Sequence, residues 1–178
     1  MRQIVWVTAL AFLVFGCSGI NDFSRETYRI GHLTDSFRNG EIGLLLLSGG
    51  EKTDRYIETA RDIFHNVIKE MEPAIRPLPL SISPTKEVWR EQEFDLLKKT
   101  ARFFLQTELQ QVDLLEGATY VRIKGRLWDV EQGEILWEGI GESRGDIFLF
   151  FPTAPASFER AMEVASRGLI RKLPARRS

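Results

Sequence analysis

Residues 120 to 142 constrain the fold more than any other part of the chain. From Tyr120 to Val130 apolar and charged residues alternate, with Val121, Ile123, Gly125 and Leu127 on one side and Arg122, Lys124 and Arg126 on the other. A period of two is the mark of a strand with one buried and one wet face. Glu131-Gln132-Gly133 then supplies turn residues, with a glycine free to take a positive φ. Glu134 to Glu142 returns as the antiparallel partner, and Trp128 and Trp137 flank the turn. A hairpin of this kind must lay its apolar side on something, so the rest of the chain has to cover it.

Several segments can do so. Ile42 to Ser48 is a short apolar run closed by Gly49-Gly50, which reads as a strand covered on both faces. Thr53 or Asp54 can cap a following helix. In that helix Tyr56, Ile57, Ala60, Ile63, Phe64, Val67, Ile68 and Met71 recur at three- and four-residue steps, up to Pro73. Prolines 77 and 79 mean that any strand in 74–82 is at an edge or irregular. Ser83-Pro84 opens a second helix, which the spacing of Trp89, Phe94, Leu97, Ala101, Phe104 and Leu105 carries to about Gln111. A last helix after Pro152 turns Phe158, Ala161, Met162, Ala165, Leu169 and Leu173 inward. The expected fold class is therefore α/β, α+β-like: a single mixed sheet with a late antiparallel hairpin, packed by about three helices.

The N-terminus has a different character. Arg2 precedes an uncharged apolar stretch from Ile4 to Phe15, which is followed by Gly16 and Cys17, the only cysteine of 178 residues. That stretch is about half of the ~20 residues that span a bilayer as a helix, but it suits the core of an export signal. A single cysteine in an exported chain cannot form an internal disulfide and calls for another role. Leu13-Val14-Phe15-Gly16-Cys17 resembles the lipobox of bacterial lipoproteins. The resemblance implies cleavage between Gly16 and Cys17, a diacylglycerol on the Cys17 thiol and an acyl chain, palmitate or its like, on the new amine. The alternatives are an ordinary signal peptide cut elsewhere and a retained membrane anchor. On this reading residues 1–16 are a signal peptide, 17–39 a lipidated tether, 40–174 one α/β domain and 175–178 a basic tail. Ser18 after the cysteine resembles the sorting signal for the outer membrane, which would face the domain to the periplasm.

The hairpin carries a second resemblance. Gly125 to Gly141, with Asp129, Gly133-Glu134, Leu136-Trp137 and two spaced glycines, is similar to the late hairpin of a group of envelope lipoproteins. The group includes the curli secretion lipoprotein, the lipoprotein activators of penicillin-binding proteins, and the N-terminal domain of the Tol-Pal periplasmic protein TolB. It implies a small domain that acts through protein contacts and without catalytic residues.

Candidate chemistry is sparse. Gly49-Gly50-Glu51-Lys52-Thr53 lacks the glycines of a phosphate loop and puts a carboxylate where phosphate would lie. His32 and His65 are the only histidines, and neither has companions at metal-ligand spacing. Glu91/Glu93 and Glu131/Glu134 sit in polar helical or turn contexts and read as solvated charge. With 24 Lys and Arg against 25 Asp and Glu the chain lacks the charge excess of a nucleic-acid binder. No catalytic residue, metal or cofactor is expected beyond the covalent lipid on Cys17. The least ordinary stretch is Phe148-Leu149-Phe150-Phe151. It is either covered on both sides or offers an apolar patch to a partner or bilayer. Arg167, Arg171, Lys172, Arg176 and Arg177 form a basic end, which reads as a solvated tail or as a site for anionic headgroups or wall polymers. These readings converge on a lipid-anchored, non-enzymatic accessory or assembly factor with an envelope protein as partner. The alternative is a transport component holding a lipid or other apolar ligand.

Overall fold

Ala118–Asp129 and Glu134–Glu142 pair antiparallel as expected, from Asp129 opposite Glu134 to Arg122 opposite Glu142. A computed structural model of the chain describes residues 23–28, 41–78, 95, 97–115, 118–143, 147–148, 151–152 and 157–174. The turn of the hairpin is built by Asp129, which is 1% exposed. Its Oδ1 accepts hydrogen bonds from the backbone N–H groups of Glu131 and Gln132, at 3.0 and 3.3 Å. Its Oδ2 accepts from Arg102 Nε and Nη2, at 3.1 and 2.9 Å. A buried carboxylate needs such donors, and here they also shape the turn. Gly133 closes it at φ 68°.

In chain order the strands are β1 (Phe23–Tyr28), β2 (Ile42–Leu44), β3 (Ser48–Gly49), β4 (Ile75–Pro77), β5 (Phe103–Leu115), β6 (Ala118–Asp129) and β7 (Glu134–Glu142). They form one mixed open sheet in the order β1-β7-β6-β5-β2-β4, and β3 continues the line of β2 along β5. β5, β6, β7 and β1 are successively antiparallel, whereas β2 and β4 run parallel to β5 and to each other. β4 lies at one edge, where Pro77 requires it. β1 lies at the other edge and draws Phe23–Tyr28, in the stretch read as tether, into the sheet. Ile147–Phe148 (β8) and Phe151–Pro152 (β9) form a separate two-stranded ribbon. The helices are α1 (Ile57–Met71), preceded by a 3₁₀ turn at Asp54–Tyr56, and α2 (Phe158–Arg171).

Two expectations need correction. The helix read from Ser83 to about Gln111 does not reach that far. Backbone N–H groups of Thr100 and Ala101 bond the Leu97 carbonyl, and Phe103–Leu115 is the longest strand of the sheet. Two α-helices are described in full, not about three; Asp95, Leu97 and Lys98 are helical too, and residues 79–94 lie outside the described residues. The cause is that β5 starts with both faces buried: Phe103, Phe104 and Leu105 are each at most 1% exposed. A doubly covered strand shows no alternation, and its apolar run satisfies a helical spacing just as well. Thr53, read as a possible cap, makes no side-chain cap. Its hydroxyl instead donates to the carbonyls of Gly50 and Leu109, tying the turn to β5.

Both helices pack on one face of the sheet, where the core joins Leu105, Val121, Ile123, Leu127 and Trp137 to Phe64, Ile68, Ala161, Ala165 and Leu169. Glycines set how close they come. Gly125 and Gly139 are cross-strand partners, and the indole of Trp137 lies over them. A Cβ on Gly139 would overlap the ring, and one on Gly125 would stand 3.1–3.2 Å from Leu169 and Trp137. A Cβ on Gly141 would overlap the Ala165 carbonyl oxygen, so the α2 backbone rests directly on β7. Ser157 caps α2, its Oγ accepting from Arg160 N at 3.3 Å. On the opposite face Leu45, Leu97, Phe104, Trp128 and Val130 form a smaller cluster near the hairpin turn.

These contacts rank three substitutions. Gly141→Ala should destabilise most, by several kcal/mol, because the obstacle is helix backbone. Trp137→Ala should destabilise by roughly 3–5 kcal/mol. Gly133→Val should lose about 1–3 kcal/mol to backbone strain alone, since nothing lies within 4 Å of the new Cβ. Gly133→Asn should recover most of that loss. Urea melts check the order, and a near-neutral Gly141→Ala would mean α2 is not seated as described.

Candidate functional site

Two polar constellations stand out from the packed interior. The first is a groove of about 420 Å³ between α1 and the start of α2, with Ile63 and Val67 on its floor and Glu70, Glu159, Glu163, Arg160 and Arg167 around it. Residues at positions 160, 163 and 167 share one face of α2, as steps of three and four dictate. Arg167 reaches across to α1, with Nη2 and Nη1 at 2.6 and 3.1 Å from the two Glu70 oxygens, while its Nε donates to Glu163 Oε1 at 3.0 Å. Arg160 Nη1 donates to Glu163 Oε2 at 2.6 Å. The Arg167 hydrogen bonds hold the Glu70 carboxyl below its ordinary pKa. For Glu163 burial alone would act upward, but hydrogen bonds from Arg167 and Arg160 outweigh it and the net shift is down. The same contacts raise the pKa of Arg167.

The second is an ion-pair ladder on the sheet face away from the helices. Glu138 Oε2 accepts from Arg126 Nε at 2.8 Å and pairs with Lys124 Nζ at 2.9 Å, and Arg122 Nε lies 2.9 Å from Glu142 Oε1. Arg126 and Glu138 are largely buried, at 11% and 14% exposure, whereas Arg122 is 34% exposed. Burial acts to raise the Glu138 pKa, and its hydrogen bonds from Arg126 and Lys124 override that to give a net lowering. Beside the ladder Trp128 Nε1 donates to Gln106 Oε1 at 2.8 Å. Carboxylates held ionised in this way are poor proton donors near neutrality, so both constellations suit positioning and contact better than acid–base chemistry.

The positions singled out by sequence fare unequally. Gly16 and Cys17 lie outside the described residues, as do Leu149, Phe150, His32, Glu91, Glu93, Arg176 and Arg177. Phe148 and Phe151 face each other across β8 and β9 as a backbone pair. His65 is exposed on α1. Glu131 lies 3.1 Å from Arg102 and is not paired with Glu134. Arg167, read as part of the basic end, is instead engaged by Glu70 and Glu163 in the groove. The groove itself was not read from the sequence. The spacing of Arg160, Glu163 and Arg167 signals a charged stripe, but Glu70 is 97 residues away from Arg167 and no local pattern links them.

No protein-family model matches the chain, and no curated protein matches it. Solved structures do. The PelC dodecamer from Paraburkholderia phytofirmans superposes with a TM-score of 0.52 at 17% identity, over 85% of this chain and 94% of that one. The C-terminal domain of LpoB from Salmonella enterica aligns over 58% of this chain and 82% of its own, with a TM-score of 0.40 and 14% identity. TolB from Acinetobacter baumannii aligns over 85% of this chain and 30% of its own, at 0.37 and 10%. At such identities what this chain shares with PelC is the fold.

Glu138 makes the ladder testable by pH. A carboxyl whose folded pKa is depressed stabilises the fold above its unfolded value, here about 4.5, and loses that contribution as pH falls through the folded value. Stability should therefore decline below about pH 4.5. Glu138→Gln should destabilise at pH 7 by about 1–3 kcal/mol, because two largely buried cations lose the negative charge they share, and should flatten the decline. Chemical denaturation across pH 3 to 7 measures both, and an unchanged acid slope in the variant would remove Glu138 from this role.

Proposed function

We infer that this chain is a lipid-anchored bacterial envelope protein, attached through Cys17 and acting as a non-enzymatic accessory or assembly factor by contact with another protein. The single observation that carries the choice of contact over carriage is the close packing between helices and sheet among the described residues. Trp137, Phe64, Phe103 and Leu169 occupy the space between helices and sheet, none more than 2% exposed. The groove of about 420 Å³ opens to solvent between ionised side chains. A carrier of lipid or another apolar ligand needs an enclosed apolar cavity, commonly of ~300 Å³ or more, and this groove is neither enclosed nor apolar at its rim.

The anchor rests on the lipobox resemblance of Leu13 to Cys17. Several acyl chains, each methylene contributing ~0.8 kcal/mol when buried, would hold the protein at the membrane stably where one chain would not. Ser18 supports placement at the outer membrane, with the domain in the periplasm. The groove, with fixed charges around an apolar floor, is the concave surface on which a protein partner would seat. PelC forms a dodecamer, so a second copy of this chain belongs among the partners to be sought.

Mass spectrometry of the protein extracted from membranes tests this reading. The mature chain should begin at a triacylated Cys17 and carry no non-covalent lipid after mild extraction, and Cys17→Ser should yield an unacylated, uncleaved chain. Equal acylation of wild type and variant would refute the anchor. Stoichiometric bound lipid would move the function to the carrier class.

A further inference from the structure

Side chains span the groove between the helices at both of its ends. α1 and α2 run the same way. Tyr56 meets Phe158 near their starts, with ring centroids 4.9 Å apart, and Glu70 meets Arg167 further along. The fourteen residue steps from Tyr56 to Glu70 make about 21 Å of helix at ~1.5 Å per residue. Between these two bridges Ile63 and Val67 of α1 form the apolar floor, and Glu159, Arg160 and Glu163 of α2 stand along one wall. A trough of this length seats a short segment of another chain.

The charge of the trough is uneven. Its lining holds three carboxylates, Glu70, Glu159 and Glu163, against two guanidiniums, Arg160 and Arg167. Both guanidiniums are engaged, Arg167 by Glu70 and Glu163, and Arg160 by Glu163. Glu159 is exposed and forms no ion pair among the described residues. It stands four residues before Glu163 on α2, a spacing at which like charges repel. An arriving anion would meet a surplus carboxylate and cations already engaged. An arriving cation would relieve the repulsion between Glu159 and Glu163.

We propose that the groove receives a segment of a different envelope protein in which an apolar side chain is flanked by lysine or arginine. The apolar side chain rests on Ile63 and Val67, and the cation sits between Glu159 and Glu163. The proposal rests on the reading of this domain as one that acts by protein contact. The described side chains of the chain itself do not suit a second copy as occupant. Lys98 and Lys99 follow Leu97, which is 1% exposed, and Arg171 and Lys172 precede Leu173, which packs against its own core. The two exposed large apolar side chains have no base beside them: Leu46 lies between Leu45 and Leu47, and Leu114 between Asp113 and Leu115. Charge at the rim of an interface acts mainly on encounter and on salt dependence, so Glu159 should govern both.

The test places a photocrosslinking amino acid at Asn66, on the groove wall, in the full-length protein in intact envelopes, and sequences the captured peptide. That peptide should come from a different protein and pair an apolar residue with adjacent lysine or arginine. Glu159→Lys should cut the adduct several-fold and Glu159→Gln should cut it less. Glu134→Lys, the same charge change on the exposed hairpin turn, should leave it unchanged. An adduct that Glu159→Lys does not reduce, or one formed through an acidic peptide, overturns the proposal and leaves the contact reading standing. An adduct with the chain itself gives the groove to a second copy and also overturns it. No adduct from Asn66 contradicts both. Purified full-length wild-type protein supplies a check free of substitution. A fluorescent lysine–leucine peptide should bind several-fold more tightly than its glutamate–leucine counterpart and lose that advantage in high salt. Equal binding of the two peptides would overturn the proposal.

Discussion

The indole of Trp137, lying on the paired glycines 125 and 139 beneath Leu169, is the contact on which the rest of this structure depends. Two facing glycines leave a bare patch of sheet, and the ring fills it. A slip of one residue between β6 and β7 would move the ring to the polar face and put Glu138 into the core. The same patch lets α2 descend until its backbone meets Gly141. Trp137 Nε1 finds no hydrogen-bond partner among the described residues, so the residue contributes by packing and accepts the loss of one polar contact.

This contact explains why a motif of some seventeen residues conveys the fold and little else. Asp129 shapes the turn and holds Arg102, Gly133 closes it, Trp137 fills the floor, Gly125 and Gly139 make the floor, and Gly141 seats α2. Each has a structural task, and none is left over for chemistry. The similarity to PelC, with its low identity, is of the same kind. What distinguishes one protein of this fold from another has to lie on surfaces, here the charged groove between the helices.

How much was legible follows from the physics of each segment. The late hairpin, α1, α2 and the edge position of β4 were readable because each has one buried and one wet face, or a proline that forbids a central place. β5 was not readable, because Phe103 to Leu105 are covered on both sides and Gln106 and Thr107 are buried as well. β1 was hidden because its pairing with β7 is made by backbone across more than a hundred residues of chain. The groove failed for a similar reason: Arg167 was read as a helix-end cation, and only the packing of α2 against α1 reveals Glu70 as its acceptor. Cys17 and the Phe148–Phe151 stretch remain readings of sequence.

The packing beneath the helices and the fixed charges of the groove support the proposed reading of a domain that works by contact with another protein. A photocrosslinking amino acid placed at Asn66, on the wall of the groove, measures this directly in intact envelopes, with Gln132 at the far turn as control. The account predicts a discrete protein adduct from Asn66, formed by another envelope protein or a second copy of the chain, and none of comparable yield from Gln132. Equal, diffuse labelling from both positions would contradict it.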